Sequence, residues 1–134
     1  MEKYKILEHT ADLKIEVYGK DKKEIFSNAL LAMVSGLRPE IKNQSTNQQI
    51  KIKSSDLEML LVDFLSEVLY LIQTNKEIYN GVKFKKFSDR ELEAELSGQK
   101  VESFGQDIKA VTYHNLDIRQ EKDGSWKAII LFDI

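Results

Sequence analysis

The chain contains no cysteine, one proline and only two histidines among its 134 residues. Without cysteine it can form no disulfide, no thiolate nucleophile and no zinc–thiolate site. Two histidines are also too few for an imidazole-rich metal centre. One proline and the absence of a low-complexity tract favour a single domain over residues 1–134, a length that can bury an independent core.

Long apolar runs are missing as well. No stretch approaches the roughly 18 to 20 apolar residues that a membrane-spanning helix needs. The first residues, MEKYKILEH, lack the basic and then apolar layout of a secretory signal. Apolar residues make up 42% of the chain and charged residues 31%, close to the average of soluble proteins. These features predict a soluble, cytoplasmic protein that does not bind membranes.

Neither sign of charge dominates: 20 Lys and Arg stand against 22 Asp and Glu, a formal net charge of −2. Proteins that bind nucleic acid unaided usually have a basic surface, because counterion release from phosphates supplies most of the affinity. The composition therefore predicts no DNA binding and only indirect contact with RNA. Residues 82–86 hold three lysines, but with the interleaved Phe84 they fit a strand with one solvent-exposed face equally well.

Familiar catalytic and nucleotide-binding motifs are absent. The chain has no Gly-x-Ser-x-Gly elbow, no Walker-type loop and no Gly-x-Gly-x-x-Gly. A metal-dependent hydrolase stays open, since a bound cation can activate water. Beyond His9 and His114, however, the sequence offers no dedicated general base.

The hydrophobic pattern of the first third predicts a strand followed by a helix. Residues 13–17 alternate between apolar and polar, as in a half-buried strand, and Gly19 closes the run. From Asp21 the apolar spacing becomes helical, with Asp21 and Glu24 placed as a capping box and Gly36 as the stop.

A second, more apolar helix follows a polar segment. Residues 40–49, EIKNQSTNQQ, predict a loop, and a short strand follows through residues 50–52. Ser55 and Glu58 have capping-box spacing ahead of LEMLLVDFLSEVLYLI, which is apolar nearly all round. Its polar stripe consists of Asp63, Ser66, Glu67, Tyr70 and Gln73.

Two hairpins complete the pattern. Residues 82–87 and 92–96 alternate on either side of Ser-Asp-Arg, and a last pair of strands is joined across Asp123-Gly124. The final strand, 126–132, is apolar on both faces at its end, which indicates a central position. The order predicts an α+β two-layer sandwich, with two main helices on one face of a mixed or antiparallel sheet.

The most informative set of polar residues comes from the two ends of the chain. If the strand after Asp12 and the last strand are antiparallel neighbours, Asp12 lies beside Asp133. Ile134 follows, so two aspartates and an α-carboxylate could converge in an oxygen-rich site suited to a hard cation. The alternative is structural: Asp12 caps a turn, and Asp133 is solvated.

A second cluster lies in residues 107–116, DIKAVTYHNL. A strand there would place Thr112 and His114 on one face, with Val111 and Tyr113 opposite. Together with Lys109, the hydroxyl and the imidazole are compatible with phosphate or carboxylate binding. For His114, as for His9, a structural role stays open.

Three segments in this order resemble the archease family: HTADLKIEVYG, IKAVTYHNLDI and the terminal FDI. The resemblance extends over essentially the whole chain, including LLVDFLSEVLYLI. It implies a small cytoplasmic α+β protein that assists the RtcB-class RNA ligase, a GTP- and metal-dependent enzyme of tRNA splicing and RNA repair. Archeases promote guanylylation of the ligase and its multiple turnover, and they can broaden its nucleotide use.

The same resemblance implies site residues. Asp12, Asp133 and Ile134 match the family's ligands for a divalent cation (Ca²⁺, or Mg²⁺ or Mn²⁺), and Lys109 matches a functional lysine at the ligase-facing surface. The stretch VESFGQD departs from the family, in which many members have a histidine-containing segment. Two other functions stay open: a stand-alone metal-dependent phosphohydrolase and an RNA-binding or chaperone module.

The implied terminal ligand can be tested by extending the chain. Residues added after Ile134 convert its carboxylate to an amide, so Ca²⁺ should bind more weakly, because each anionic oxygen adds to the affinity of a hard cation. Calorimetric titration of the native and C-terminally tagged proteins measures the difference. Equal affinity would remove Ile134 from the ligand set.

Overall fold

The computed structural model describes residues 2–7 and 12–134 and has two helices and seven strands in that part of the chain. In chain order these are β1 (Tyr4–Leu7), β2 (Asp12–Gly19), α1 (Lys22–Leu37), β3 (Pro39–Lys53), α2 (Leu57–Asn75), β4 (Glu77–Phe87), β5 (Glu91–Phe104), β6 (Ala110–Gln120) and β7 (Trp126–Asp133). The predicted α+β class is confirmed. Within the described ranges, no helix is both long and apolar enough to cross a membrane.

The strands form two sheets, and every pairing is antiparallel. The four-stranded sheet has the order β1-β2-β7-β6, and the three-stranded sheet has the order β3-β5-β4. Both predicted hairpins are present, as β4–β5 and β6–β7. The predicted central position of the last strand is confirmed, because β7 lies between β2 and β6 and buries Ile130, Leu131 and Phe132. The sequence analysis missed β1, a four-residue strand at the edge of the sheet.

The two helices begin with aspartate caps. In α1 the carboxylate of Asp21 accepts the backbone N–H of Glu24 at 2.8 Å, as predicted. In α2 the cap is Asp56, which accepts the N–H of Met59 at 2.8 Å, and not Ser55. Both residue types cap well, so spacing alone did not separate neighbouring candidates.

The predicted end of α1 at Gly36 is wrong by one residue. The helix continues to Leu37, and Arg38 follows in the left-handed conformation with φ of 47°. Gly36 serves packing instead, because a Cβ atom there would lie 2.8 Å from Cδ2 of Leu13. The missing side chain lets α1 approach β2 closely.

The loop predicted over residues 40–49 is also wrong, since these residues belong to β3. This strand lies at the edge of its sheet and pairs only with β5. Most of its polar side chains are exposed, and Ile50 is its one buried apolar residue. An exposed edge strand lacks the apolar alternation by which strands are recognised, which explains the error.

An aromatic cluster holds both helices against β4. The rings of Phe26 in α1, Phe64 in α2, and Phe84 and Phe87 in β4 have neighbouring centroids 5.0–6.3 Å apart. Each helix also contacts the four-stranded sheet, α1 at β2 and α2 at β6. Burial of this apolar surface joins the two sheets through the helices.

A buried ionic group lies in the three-stranded sheet. Glu77 is only 5% exposed, accepts a hydrogen bond from the hydroxyl of Tyr79, and pairs with Nζ of Lys100 at 2.9 Å. Burial by itself raises the pKa of Glu77, but the hydrogen bonds from Tyr79 and Lys100, the positive charge of Lys100 and a hydrogen bond from Gln48 lower it, so the pKa lies below its usual value. Glu77 is therefore charged in the folded protein at neutral pH.

Removing the ammonium group of Lys100 should lower the free energy of unfolding. Lys100→Met leaves the Glu77 carboxylate buried without its cation, which should cost about 3 to 5 kcal/mol at pH 7. Because pairing lowers the folded-state pKa of Glu77, its stabilisation is present above the unfolded-state pKa and is lost as the pH falls through the folded-state pKa. Urea unfolding from pH 7 to pH 3 should show the stabilities of wild type and Lys100→Met converging in acid.

Lys42→Met is the control, because it breaks only an exposed pair with Glu102. Its cost should stay below about 1 kcal/mol, and equal losses of stability in the two variants would contradict this account.

Candidate functional site

The start of β2 and the end of β7 meet at one edge of the four-stranded sheet. Asp12 and Asp133 are direct register partners, as the antiparallel pairing predicted from sequence requires. Directly opposite Cα atoms in such a ladder are about 4.5 to 5.5 Å apart. Two carboxylates that are 121 positions apart in the chain thus become neighbours.

The start of β6 lies at the same edge. The backbone N–H of Lys109 donates to the carbonyl oxygen of Asp133 at 2.7 Å, and Ala110 is the register partner of Asp133 on that side. Ile134 follows with 37% of its surface exposed. We call Asp12, Asp133 and Lys109 the carboxylate corner.

The segment that leads into Lys109 is bound to the end of α1. The N–H groups of Gly105 and Gln106 donate to the carbonyl oxygen of Leu37 at 3.1 Å, and Gly105 also donates to Arg38 at 2.8 Å. The guanidinium of Arg38 donates to Oε1 of Gln106 at 3.1 Å. These bonds occupy carbonyls that a helix end leaves without partners.

Helix α2 holds the same segment from another side. Nε2 of Gln73 donates to the carbonyl oxygen of Ile108 at 2.8 Å, and the side chain of Ile108 is fully buried. Sequence reasoning missed Gln73, Arg38 and Gln106 as supports, because single polar contacts over a long chain separation leave no periodic signal. Lys109 is therefore positioned by α1, α2 and β7 together.

The chemistry of the corner suits a hard cation. Asp12 and Asp133 supply carboxylate oxygens, the ligands that Ca²⁺, Mg²⁺ and Mn²⁺ prefer. Like charges directly opposite each other in a ladder are destabilising, and a bound cation would offset that repulsion. Over residues 2–7 and 12–134, no three or more His, Asp or Glu side chains form a group that could hold a metal ion. The cation, and Ile134 as its third ligand, stay predictions.

The two histidines differ in what the structure describes of them. His9 lies outside the described residues. His114 lies in a bulge of β6, where the register with β7 stops after Thr112 and resumes at Asp117, and where Asn115 has a φ of 57°. Its backbone N–H donates to Oγ1 of Thr112 at 3.3 Å.

Beside this bulge, Tyr113 reaches α2. Val111 is buried and Tyr113 and His114 are exposed; the placement of Thr112 and His114 on one face and of Val111 and Tyr113 on the other stays a prediction. The hydroxyl of Tyr113 lies 3.4 Å from Oδ1 of Asp63 in α2. Partial desolvation and the negative charge of Asp63 raise the pKa of Tyr113.

Clefts are present at the other end of β2 and β7. Two open clefts of about 410 and 440 Å³ flank Trp126, the register partner of Gly19. A smaller recess of about 210 Å³ adjoins the corner and is lined in part by Ile6, Leu13 and Ile134. In the described part of the chain, the corner lies at the ends of β2, β6 and β7, with Asp133 and Lys109 exposed and Asp12 half-buried.

Comparison with known proteins gives a consistent result. The model of the archease protein family matches residues 4–134. A Methanosarcina barkeri protein named archease is 40% identical over 140 residues, which cover 98% of this chain and 95% of that protein. A Pyrococcus furiosus protein of the same name is 31% identical over the full length of both chains.

Solved structures have the same fold. The solution structure of a Methanobacterium thermoautotrophicum protein covers all of both chains, with a TM-score of 0.70 and 29% identity. The crystal structure of a Thermotoga maritima protein, described as an archease and possible chaperone, has a TM-score of 0.74. It covers 97% of this chain and 96% of that one, and at 21% identity it supports the fold alone.

Proposed function

Because this chain belongs to the archease family, which matches residues 4–134, we propose that it is a non-catalytic activator of an RtcB-class RNA ligase in the cytoplasm. In this role it promotes the GTP-dependent guanylylation of the ligase and its multiple turnover during tRNA splicing and RNA repair. It also widens the range of nucleotides that the ligase uses. The observation that carries the proposal is the register pairing of Asp12 with Asp133.

The carboxylate corner is the part that acts on the ligase. Asp12 and Asp133, with Ile134, hold a divalent cation; when bound, the cation supplies positive charge to nearby phosphate oxygens. The central strands β2 and β7 fix the two carboxylates relative to each other. The exposed ammonium of Lys109, whose backbone is bonded to Asp133, faces the ligase and interacts with phosphate or carboxylate groups there.

Activation then follows from a difference in affinity. An activator shifts its partner toward a nucleotide-accepting state only if it binds that state more tightly. A ligase that holds RNA needs a basic surface near its active site. Carboxylates at the corner are opposite in charge to such a surface, which orients the corner toward the active site of the ligase.

The proposal is tested by RNA ligation with a sub-stoichiometric RtcB-class ligase, GTP and each form of this protein. Wild type should convert about one turnover per ligase into many. Asp12→Asn and Asp133→Asn keep side-chain size but remove the charge, so they should abolish most of the gain. Asp89→Asn is the matched control, because Asp89 pairs with Lys22 on the exposed surface away from the corner, and it should activate like wild type.

Other outcomes of these assays would contradict the proposal or establish a different function. No effect of wild type on ligation would contradict the proposal. Turnover of p-nitrophenyl phosphate by the protein alone with Mn²⁺, lost in Asp12→Asn, would instead establish a phosphohydrolase. RNA binding by the isolated protein that weakens steeply with salt would establish an RNA-binding module.

A further inference from the structure

One flank of the molecule extends from the carboxylate corner along α2 and β6. It consists of Asp63, Glu67 and Tyr70 on α2, with Tyr113 and His114 on β6, and we call it the α2–β6 flank. Helical spacing places Asp63, Glu67 and Tyr70 on one side of α2, because they are four and then three residues apart. Both β6 residues are exposed in the bulge.

Two contacts show how α2 and β6 are oriented relative to each other. Tyr113 reaches Asp63 near the start of α2, and Ile108 accepts a hydrogen bond from Gln73 near its end. The helix and the strand therefore run antiparallel, and Tyr70 lies between the two contacts on the same side of α2. Next to Ile108 comes Lys109, so the flank is continuous with the carboxylate corner.

The α2–β6 flank exposes two large aromatic side chains to solvent. Tyr70 is 60% exposed and Tyr113 is 53% exposed, and they belong to a set of only five large hydrophobic side chains that are exposed in the described part of the chain. Tyrosine is enriched among the residues that dominate the binding energy of protein interfaces. The register of β6 with β7 is irregular between Thr112 and Asp117, so Tyr113 and His114 lie in a part of β6 that is not a regular strand.

The charge of the flank indicates what it binds. Asp63 and Glu67 lie on α2, and exposed Asp107 lies where the flank meets the corner; Lys109 is the one lysine among these positions. Polyanions are disfavoured by such a surface, and a second copy of the chain would bring like charges together. The complementary occupant is a protein surface rich in Lys and Arg, as found beside an RNA-binding channel.

We propose that the α2–β6 flank is the docking surface for the ligase, and that Tyr70 and Tyr113 anchor it on a basic surface beside the ligase active site. This inference rests on the proposed function, since it assigns the affinity of the same complex to different residues. The two surfaces then have separate roles. The flank sets how tightly the protein binds, and the corner sets what it does once bound.

Titrating ligase turnover against activator concentration separates these roles. For the double variant Tyr70→Ala, Tyr113→Ala, the concentration giving half-maximal activation should rise at least about tenfold, as for loss of interface anchors, while the maximum stays near that of wild type. Glu67→Lys should also raise the half-maximal concentration, and added salt should raise it for wild type. Asp12→Asn should instead lower the maximum.

Ile41→Ala is the matched control, because Ile41 is 49% exposed on β3 in the other sheet; it should leave both parameters unchanged. If wild type activates but the tyrosine variant and Glu67→Lys behave like this control, the flank is not the docking surface. Sedimentation showing that the flank tyrosines hold two copies of the chain together would also overturn the inference. If wild type does not activate at all, the proposed function itself fails, and that outcome is distinct from both.

Discussion

The antiparallel pairing of β2 with β7 is the constraint on which the rest of the structure depends. The two strands are central in their sheet and remain in register from Asp12 opposite Asp133 to Gly19 opposite Trp126. Each buries apolar side chains in the core, Ile15 on one strand and Ile130 on the other. A slip of one residue would turn these side chains to the opposite face, so burial of the core fixes the register. The same register brings the two carboxylates together.

Polar contacts then place the remaining groups around that pair. The segment before β6 is bonded to the end of α1 through Gly105 and to α2 through Gln73, and it reaches β7 through the N–H of Lys109. Helix α2 thus supports the carboxylate corner at one end. At the other end Asp63 contacts Tyr113. Helix α2 therefore connects the α2–β6 flank, proposed to dock on the ligase, with the carboxylate corner, proposed to act on it.

Much of this arrangement could be predicted from sequence, because apolar burial leaves a periodic pattern. The alternation in β2, the helical stripe from Asp21, and the Asp123-Gly124 turn each predicted the observed element. Antiparallel pairing of the first long strand with the last then predicted that Asp12 and Asp133 are neighbours, and the register confirms it.

The parts that sequence did not predict are those in which burial is weak or local geometry is irregular. Strand β3 has exposed polar side chains and no alternation to reveal it. The bulge in β6 near Asn115 interrupts the register with β7, and no residue pattern in the sequence indicated it. The support of Ile108 by Gln73 depends on one hydrogen bond across 35 positions. Such contacts form only when the fold brings distant residues together, so they leave no local pattern in the sequence.

The central claim is that the paired carboxylates act as one cation site. It is tested most directly by ¹³C NMR of the aspartate side-chain carboxyl carbons during titration with Ca²⁺. We predict that the signals of Asp12 and Asp133 shift along a single saturation curve, while those of the exposed Asp89 and Asp123 do not follow it. If the signals of Asp12 and Asp133 stay unchanged at saturating Ca²⁺, or follow separate curves, the two carboxylates do not bind one cation and the account is contradicted.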